Sequence, residues 1–187
     1  MSTIYTFHTE CPALAEPPAA TDVFLMYDTS AGTTKRITAD MLGGAVSAPV
    51  ATTATSLTIT AAAHAGRTVA INSTAPIAVT LPQATGTGNR YKFWIGVVAT
   101  ATGHTIKVAN ATDVMAGYAF CVTTTSDNAE GFKTSATSDT ITLNGTTLGG
   151  VVGDMVEIED VKTGIFSVKL FTAPTGTEAT PFSATVS

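Results

Sequence analysis

Residues Arg67–Val98 read RTVAINSTAPIAVTLPQATGTGNRYKFWIGVV, and this stretch decides the fold. It predicts three short strands, over Thr68–Asn72, Ile77–Leu81 and Tyr91–Val98. The first two strands alternate apolar and polar side chains, which is the period of two expected of a half-buried strand. The connections are rich in turn-forming residues, and Pro76 withholds a hydrogen-bond donor where the second strand begins. The stretch therefore predicts a β core.

The third predicted strand carries the largest apolar side chains of the stretch. It contains the only tryptophan of the chain, Trp94, together with Tyr91 and Phe93. Aromatic side chains bury about 150–250 Å² each and dominate protein cores. We therefore expect this strand to lie at the centre of the β core, with Trp94 buried in it.

Further short strands recur on both sides of this stretch. Nowhere does an apolar pattern at helical spacing persist for three turns. This organisation predicts an all-β fold, an antiparallel β-sandwich or jelly-roll-like domain. The additional predicted strands are Val23–Asp28, Lys35–Ile37, Leu57–Thr60, His104–Ala109, Val114–Val122, Thr140–Leu143, Met155–Asp160 and Phe166–Phe171.

The last two of these strands form the clearest predicted hairpin. Val156 and Ile158 face one way, whereas Glu157 and Glu159 face the other. The turn between the strands contains Gly164, which tolerates the positive φ that tight hairpin turns require. The alternation predicts a hairpin with one buried and one solvated face.

By composition the chain divides into four parts. Residues 1–44 are predicted to form an arm with a small hairpin and one helical turn, Ala39–Leu42. Residues 45–55 have the small-residue composition of a flexible linker. Residues 56–173 form the β domain, and residues 174–187 form a tail or an edge strand.

Charged residues are scarce in this chain. Asp, Glu, Lys and Arg make up 12% of its 187 residues, against about 25% in typical globular proteins. The deficit is filled by Thr, Ala, Ser and Gly, which predicts a neutral, hydroxyl-rich surface suited to an assembly. The net charge of −5, with no Lys/Arg cluster, argues against nucleic acid as a partner.

Membrane insertion is also not expected. No apolar run approaches the roughly 20 residues of a membrane span. The N-terminal sequence MSTIYTFHTE has neither the basic nor the apolar region of a secretory signal. These features predict synthesis in the cytoplasm without processing.

The cysteines and histidines do not form a metal-binding pattern. Cys11 and Cys121 are far apart in sequence and are expected to be free thiols. His8, His64 and His104 occupy separate segments, without a second ligand at the spacing that zinc requires. They are interpreted as polar loop or strand-end residues, and no metal or other cofactor is predicted.

Four acidic residues near the predicted hairpin are the sharpest candidate for chemistry: Asp154, Glu157, Glu159 and Asp160. Two carboxylates on one face of a strand suit a hydrolase or a divalent-cation site. The simpler interpretation is a solvated hairpin face, partly balanced by Lys162 and Lys169.

The sequence contains no motif that positively supports catalysis. A G-x-S-x-G nucleophile elbow and a P-loop are both absent. Gly86-Thr87-Gly88 lies between strands, without the following helix that a phosphate-binding loop requires. We therefore do not predict an enzyme.

Several of these motifs resemble those of a known protein family. The pattern T-V-A-I-N…I-A-V-T-L-P-Q…Y-K-F-W-I…G-H-T-I-K-V over Thr68–Val108 is followed by D-T-I-T-L, G-D-M-V-E-I and F-S-V-K-L-F. Together they resemble the β domain of capsid decoration (cement) proteins of tailed bacteriophages. The segment Phe24–Ile37 is similar to an N-terminal module found on several kinds of phage virion protein.

The resemblance implies a structural protein of the virion, on the exterior of the capsid and made in the bacterial host cytoplasm. Such proteins assemble as homotrimers and bind the major capsid protein where its subunits meet. The β domain would then form the trimer, and the arm would be the docking element. The candidate capsid-contact residues are Phe24, Met26, Tyr27, Lys35, Arg36, Met41 and Leu42.

Two alternatives belong to other functional classes. The first is a head-fibre or tail-associated module that recognises carbohydrate, which an exposed cluster of Trp or Tyr beside Asp or Asn would favour. The second is a depolymerase that uses Glu157 and Glu159, because same-face neighbours on a strand lie about 7 Å apart, a separation compatible with inverting hydrolysis.

Overall fold

The computed structural model describes residues 23–28, 32–38, 48–100, 102–122 and 128–186. The chain separates into two compact units, Met1–Val46 and Ser47–Ser187. The first unit contains one β-hairpin, and the second contains the other described elements.

The hairpin of the first unit confirms the two strands predicted there. Strands β1 (Val23–Asp28) and β2 (Thr33–Thr38) pair antiparallel along their whole length. Gly32, in the turn, has a φ of 61°, which glycine adopts without the steric cost of a side chain. The predicted helical turn Ala39–Leu42 lies outside the described residues.

The second unit consists of short strands and one four-residue helix. In chain order its elements are β3 (Val50–Thr52), β4 (Ser56–Thr58), α1 (Ala61–His64), β5 (Thr68–Ile71), β6 (Ala78–Thr80), β7 (Arg90–Ile95), β8 (His104–Lys107), β9 (Val114–Val122), β10 (Ala129–Lys133), β11 (Thr140–Leu143), β12 (Met155–Lys162), β13 (Ile165–Thr172) and β14 (Phe182–Ser183).

These strands form two sheets packed against each other. The large sheet has seven strands in the order β10-β9-β13-β12-β7-β5-β3, and the small sheet has five in the order β14-β11-β8-β6-β4. Buried side chains from both sheets form a single apolar cluster between them. The predicted all-β sandwich is confirmed.

Two ladders of apolar side chains cross the whole width of the sheets. Each ladder has one member per strand, and successive members are register partners. Only the edge residues Val50, Phe132 and Leu57 are less than fully buried. The large-sheet ladder is Phe132, Ala119, Leu170, Val156, Phe93, Val69 and Val50. The small-sheet ladder is Leu57, Val79, Ile106, Ile141 and Phe182.

From β3 to β8 the chain alternates between the sheets. Strands β3, β5 and β7 are parallel neighbours in the large sheet, and β4, β6 and β8 are parallel neighbours in the small sheet. Parallel strands need a crossover connection, and here each crossover passes through the opposite sheet. This part of the chain is therefore a coil that contributes one strand to each sheet per turn.

This coil corrects the expectation of purely antiparallel pairing. Antiparallel pairs do connect β12 with β13 and with β7, but the coil and the β9–β13 pair are parallel. Alternation within one strand shows which residues are buried but not which strand is its neighbour. The sequence pattern therefore predicted two packed sheets, but not which strands are neighbours or in which direction they run.

Three elements lie where no regular structure was predicted. Strand β3 falls inside the expected linker of residues 45–55, where it pairs with β5. Strand β10 and helix α1 had no predicted counterpart. All three elements are short, so their packing partners determine their conformation more strongly than the weak secondary-structure preference of their own residues. Strand β14 pairs with β11 at the edge of the small sheet. This agrees with the edge strand given as one of two possibilities for residues 174–187.

Trp94 is not buried, contrary to prediction. Tyr91, Phe93 and Ile95 of β7 point into the core, and each is no more than 2% exposed. Trp94 occupies the opposite parity of the same strand and is 37% exposed. Strand β7 is an interior strand of the large sheet, but its largest side chain lies on the face away from the core.

The predicted β12–β13 hairpin is confirmed in its faces and its turn. Val156 and Ile158 are buried, whereas Glu157 and Glu159 are half-buried on the other face. Gly164 in the turn has a φ of 78°. A β-bulge shifts the register between Asp160 and Lys162, next to this turn.

The parallel pairing of β9 with β13 depends on Gly117. A Cβ at this position would overlap the backbone carbonyl oxygen of Val168. We expect Gly117→Ala to lower the free energy of unfolding by about 1–3 kcal/mol, the usual cost of overpacking. Urea unfolding followed by tryptophan fluorescence measures this change.

Gly131→Ala is the matched control, because an added Cβ there comes no closer than 4.0 Å to Ala119 O. Its effect should stay within about 0.5 kcal/mol. Equal destabilisation by the two substitutions would contradict the close approach assigned to Gly117.

Candidate functional site

The outer face of the large sheet, which is turned away from the small sheet, carries the candidate functional side chains of the second unit. Alternate residues of its strands align there in rows across the sheet. The aromatic row consists of Ala70, Trp94, Met155, Phe171 and Phe120. The charged row consists of Thr68, Lys92, Glu157, Lys169, Tyr118 and Lys133.

The aromatic row leaves large apolar side chains in contact with solvent. Phe120 is 46% exposed and Phe171 is 42% exposed. Val122 and Val152 are also exposed and line, with both phenylalanines, a shallow groove of about 410 Å³. Trp94, Phe120, Val122, Val152 and Phe171 together are termed the apolar patch. Contiguous exposed patches of this kind mark interaction surfaces.

Four members of the charged row, Thr68, Lys92, Glu157 and Lys169, line a second groove of about 380 Å³, termed the polar groove. Its charged lining comprises four cations and two carboxylates: Arg67, Arg90, Lys92, Lys169, Glu157 and Glu159. Arg90 Nε lies 3.2 Å from Glu159 Oε2, and Lys92 Nζ lies 3.9 Å from Glu157 Oε1. The predicted solvated hairpin face is therefore balanced by cations of β7, which the hairpin sequence alone could not reveal.

Arg67 holds one wall of the polar groove in place. Its Nη2 donates to the backbone carbonyl of Ala48 at 2.8 Å, and its Nη1 donates to that of Ala63 at 3.1 Å. These carbonyls belong to the segment before β3 and to helix α1. The position of the guanidinium is therefore fixed by neutral acceptors.

Asp160 binds the turn that contains Gly86-Thr87-Gly88. Its carboxylate accepts hydrogen bonds from the Gly86 amide at 2.7 Å, the Thr87 hydroxyl at 2.7 Å and the amides of Thr85 and Thr87. Burial opposes ionisation, but these hydrogen bonds outweigh it and lower the pKa of Asp160. The glycine-rich turn thus holds an anion, and that anion is a side chain of the same unit.

Asp154 has a comparable structural role at the opposite end of β12. Its carboxylate accepts from the amides of Gly150 at 2.7 Å, Val151 at 3.2 Å and Ala173 at 2.9 Å. Burial raises the pKa of this group, and the three amide hydrogen bonds offset only part of the shift. Asp154 therefore connects the loop before β12 to the end of β13.

The four acidic residues consequently do not form one site. Asp154 and Asp160 are each saturated by backbone amides, whereas Glu157 and Glu159 each face a cation. Among the described residues, no group of three or more His, Cys, Asp or Glu side chains is arranged to hold a metal ion. Glu157 and Glu159, the pair of the depolymerase hypothesis, do lie on one face of β12, and the expectation that the chain is not an enzyme stays a prediction.

Two histidines contribute hydrogen bonds to the fold. His64 Nδ1 accepts from the Thr60 amide at 3.1 Å, at the start of α1. His104 is fully buried, and its Nδ1 accepts from the Ile77 amide at 3.1 Å. Burial lowers the pKa of His104, although a backbone hydrogen bond to Ser73 opposes the shift. His8 lies outside the described residues.

Cys121 is a buried thiol in β9. Its Sγ lies 3.2 Å from Thr172 Oγ1, and burial is the main cause of its raised pKa. It forms no disulfide with any residue that the structure describes. A buried thiol of raised pKa is a poor nucleophile. Cys11 lies outside the described residues.

The candidate capsid-contact residues fall mostly on the hairpin of the first unit. Phe24, Met26 and Tyr27 belong to β1, whereas Lys35 and Arg36 belong to β2. The strand register places Met26 opposite Lys35 and Leu25 opposite Arg36. The backbone therefore brings five of the seven together, while Met41 and Leu42 lie outside the described residues.

Sequence reasoning identified the Glu157 and Lys169 part of the charged row as a solvated hairpin face, but it missed the aromatic row and the contribution of β7 to the charged row. The signal was present in β7, where Lys92 and Trp94 share the parity opposite to Tyr91, Phe93 and Ile95. Size was given more weight than alternation, so Trp94 was assigned to the core. The partners of each row come from strands distant in sequence, which alternation within one strand cannot identify.

Comparisons of the chain with protein-family models, with curated proteins and with solved structures found no match. Among the described residues, no helix has the length and apolar character required to cross a bilayer. The outer face of the large sheet, together with the hairpin of the first unit, therefore provides the basis for a functional proposal.

The Asp160 site predicts a specific pH dependence of stability. Because the folded-state pKa is below the ordinary value of about 3.9, the contribution is present above that value and is lost as the pH falls through the folded pKa. We expect Asp160→Asn to cost about 1.5–3 kcal/mol near pH 7, because an amide nitrogen cannot accept from the turn. This deficit should shrink on acidification below about pH 4.

Urea unfolding of wild type and variant between neutral and acidic pH measures this dependence. Glu159→Gln is the matched control, since its ion pair with Arg90 is solvent-exposed and should contribute at most about 1 kcal/mol. A deficit for Asp160→Asn that is the same at every pH would contradict the role assigned to the carboxylate.

Proposed function

We propose that this protein is a structural component of a tailed-phage virion, a decoration or cement protein that binds the assembled head from outside as a homotrimer and stabilises it. The observation that carries the proposal is the apolar patch on the outer face of the large sheet. The scarcity of charge and the resemblance of the strand motifs support the same conclusion. Synthesis in the host cytoplasm and the major capsid protein as partner belong to this proposal.

The apolar patch is large enough that its burial against a second copy of the chain would favour self-association. Its five side chains are 37–55% exposed, which amounts to about 400 Å² if a whole aromatic side chain presents about 200 Å². At about 25 cal/mol per Å², covering this surface contributes about 10 kcal/mol. Association costs about 4–15 kcal/mol, so the patch sustains an oligomer only together with further contacts at its rim.

Stabilisation of the head then follows from mass action. A protein that binds the assembled shell, but not the free capsid subunit, stabilises the shell by RT ln(1 + [L]/Kd) at each occupied site. A trimer presents three copies of the hairpin of the first unit. Simultaneous attachment through three weak contacts raises the apparent affinity through effective concentration.

The proposal predicts a trimer that depends on the apolar patch. Light scattering of the purified chain should give three times the 19.0 kDa chain mass. The double substitution Phe120→Ser and Phe171→Ser should shift the trimer towards monomer, because it removes two of the exposed aromatic side chains. Val161→Ser removes a side chain of similar exposure outside the patch and should leave the trimer intact.

Binding is measured by co-sedimentation with mature phage heads that lack the protein, and with isolated capsid subunits in parallel. Wild type should sediment with heads alone and should raise the temperature at which they release DNA. A chain lacking Met1–Leu42 should keep a folded, trimeric β unit and lose head binding. A stable monomer without affinity for heads would contradict the proposal, and full decoration by the truncated chain would contradict the role of the arm.

A second candidate function is supported by the exposure of Trp94. A carbohydrate-binding module of a head fibre or tail would present aromatic ring faces to the apolar side of a sugar, with polar groups beside them for its hydroxyls. Trp94 is 37% exposed, and Lys92 and Glu157 lie in the adjacent charged row. This arrangement was not expected when Trp94 was assigned to the core.

This candidate predicts binding on a glycan array made from bacterial surface polysaccharides. Trp94→Ala should abolish the signal, since stacking on the indole ring would supply most of the apolar contact. Val161→Ala, outside the aromatic row, should retain it. An array without signal above background for wild type would remove this candidate and leave the structural role.

A further inference from the structure

We propose that the polar groove binds an acidic segment of an extended peptide from a partner protein. The inference rests on the proposed structural function and specifies the chemistry of the protein partner at the outer face. It concerns a part of the outer face separate from the apolar patch.

The polar groove has a local excess of positive charge. The polar groove contains four of the nine basic side chains in the chain, but only two of its fourteen acidic side chains. The chain as a whole has a net charge of −5. Such a concentration of cations on an acidic protein attracts negatively charged groups and orients their approach.

Two of these cations lack a carboxylate partner in the part of the chain that the structure describes. The carboxylates of Glu159 and Glu157 pair with Arg90 and Lys92. Arg67 donates to backbone carbonyls, which leave its charge uncompensated. Lys169 is exposed and forms no ion pair with a carboxylate of the described residues. An incoming carboxylate therefore meets cations that need not first leave an internal partner.

The spacing of the lysines in the charged row suits an extended peptide. Lys92 and Lys169 flank Glu157 on neighbouring strands, so their backbones lie about 10 Å apart, twice the strand separation. Acidic side chains at positions i and i+2 of an extended peptide lie about 7 Å apart. Two flexible lysine side chains span this difference, and the groove volume of about 380 Å³ admits several peptide side chains.

The lining favours a peptide over an acidic polysaccharide. Tyr91 is the only aromatic residue of the lining, and it is 2% exposed with its ring in the core. A sugar ring would therefore find no stacking partner in this groove. Glu157 and Glu159 would repel a uniformly anionic polymer, whereas they accept hydrogen bonds from the amides of a peptide backbone.

The test is fluorescence anisotropy of the full-length protein with a labelled peptide of alternating Glu and Gly. Lys92→Gln and Lys169→Gln should each weaken binding about fivefold, the factor that corresponds to an exposed charge pair of about 1 kcal/mol. Lys133→Gln is the matched control, because Lys133 lies in the same charged row but outside the groove. Its affinity should remain that of wild type, and binding should weaken as salt is raised.

Three results would overturn the inference. The first is equal loss of affinity in Lys133→Gln, and the second is equal affinity for a peptide of alternating Gln and Gly. The third is tighter binding of an oligogalacturonate than of the acidic peptide, which would indicate an anionic glycan as the ligand.

The peptide assay contains no phage heads, so its outcome is independent of the head-binding assay. If the protein decorates heads but the peptide does not bind, the groove assignment fails and the structural function stands. If the peptide binds with the expected effects of the variants but heads do not, the structural function fails and the groove assignment stands.

Discussion

The second unit depends on keeping one parity of each of its strands between the two sheets. The apolar ladder from Val50 to Phe132 crosses all seven strands of the large sheet, and the ladder from Leu57 to Phe182 crosses all five of the small sheet. Burying one large apolar side chain stabilises the fold by about 1.5–3 kcal/mol. A shift of one residue in strand register would move all the buried side chains of that strand to the solvent face. Strands of two to four residues, which have little stability alone, persist because each contributes a member to a ladder.

The same constraint decides how the acidic residues are used. Asp154 and Asp160 share the inward parity of β12 with Val156 and Ile158, and a buried carboxylate without hydrogen bonds is costly. Amides of the loops at the two ends of the strand satisfy them, so these side chains fix loops to the sheet. Glu157 and Glu159 have the outward parity and remain available to cations and ligands. Chemistry of the second unit is therefore concentrated on the outer face.

How much of this structure the sequence predicted depends on the sequence separation between the residues that form each feature. Alternation within ten residues predicted β9, the β12–β13 hairpin and the turn at Gly164, because these depend on local pattern. It did not predict the parallel coil or strand β3, whose register partners, such as Val50 and Val69, are about twenty residues or more apart in sequence. The acidic candidates were found as residue types, yet the amides that bind Asp160 come from the turn at Thr85–Thr87, distant in sequence. The exposure of Trp94 was not predicted because a large aromatic side chain favours the core. Its position in the alternating pattern of β7 indicates the outer face instead.

The two halves of the outer face differ in the kind of neighbour that each suits. The apolar patch gains free energy in proportion to covered area and shows little dependence on the partner's charge. The polar groove gains little from each exposed ion pair, about 0–1 kcal/mol, but it discriminates between partners by sign of charge. Within the proposed assembly, the patch would hold copies of the chain together while the groove selects the partner. Because each groove contact is weak, several grooves on one oligomer that bind at once would raise the apparent affinity for the partner. Self-association through the patch would therefore strengthen recognition through the groove.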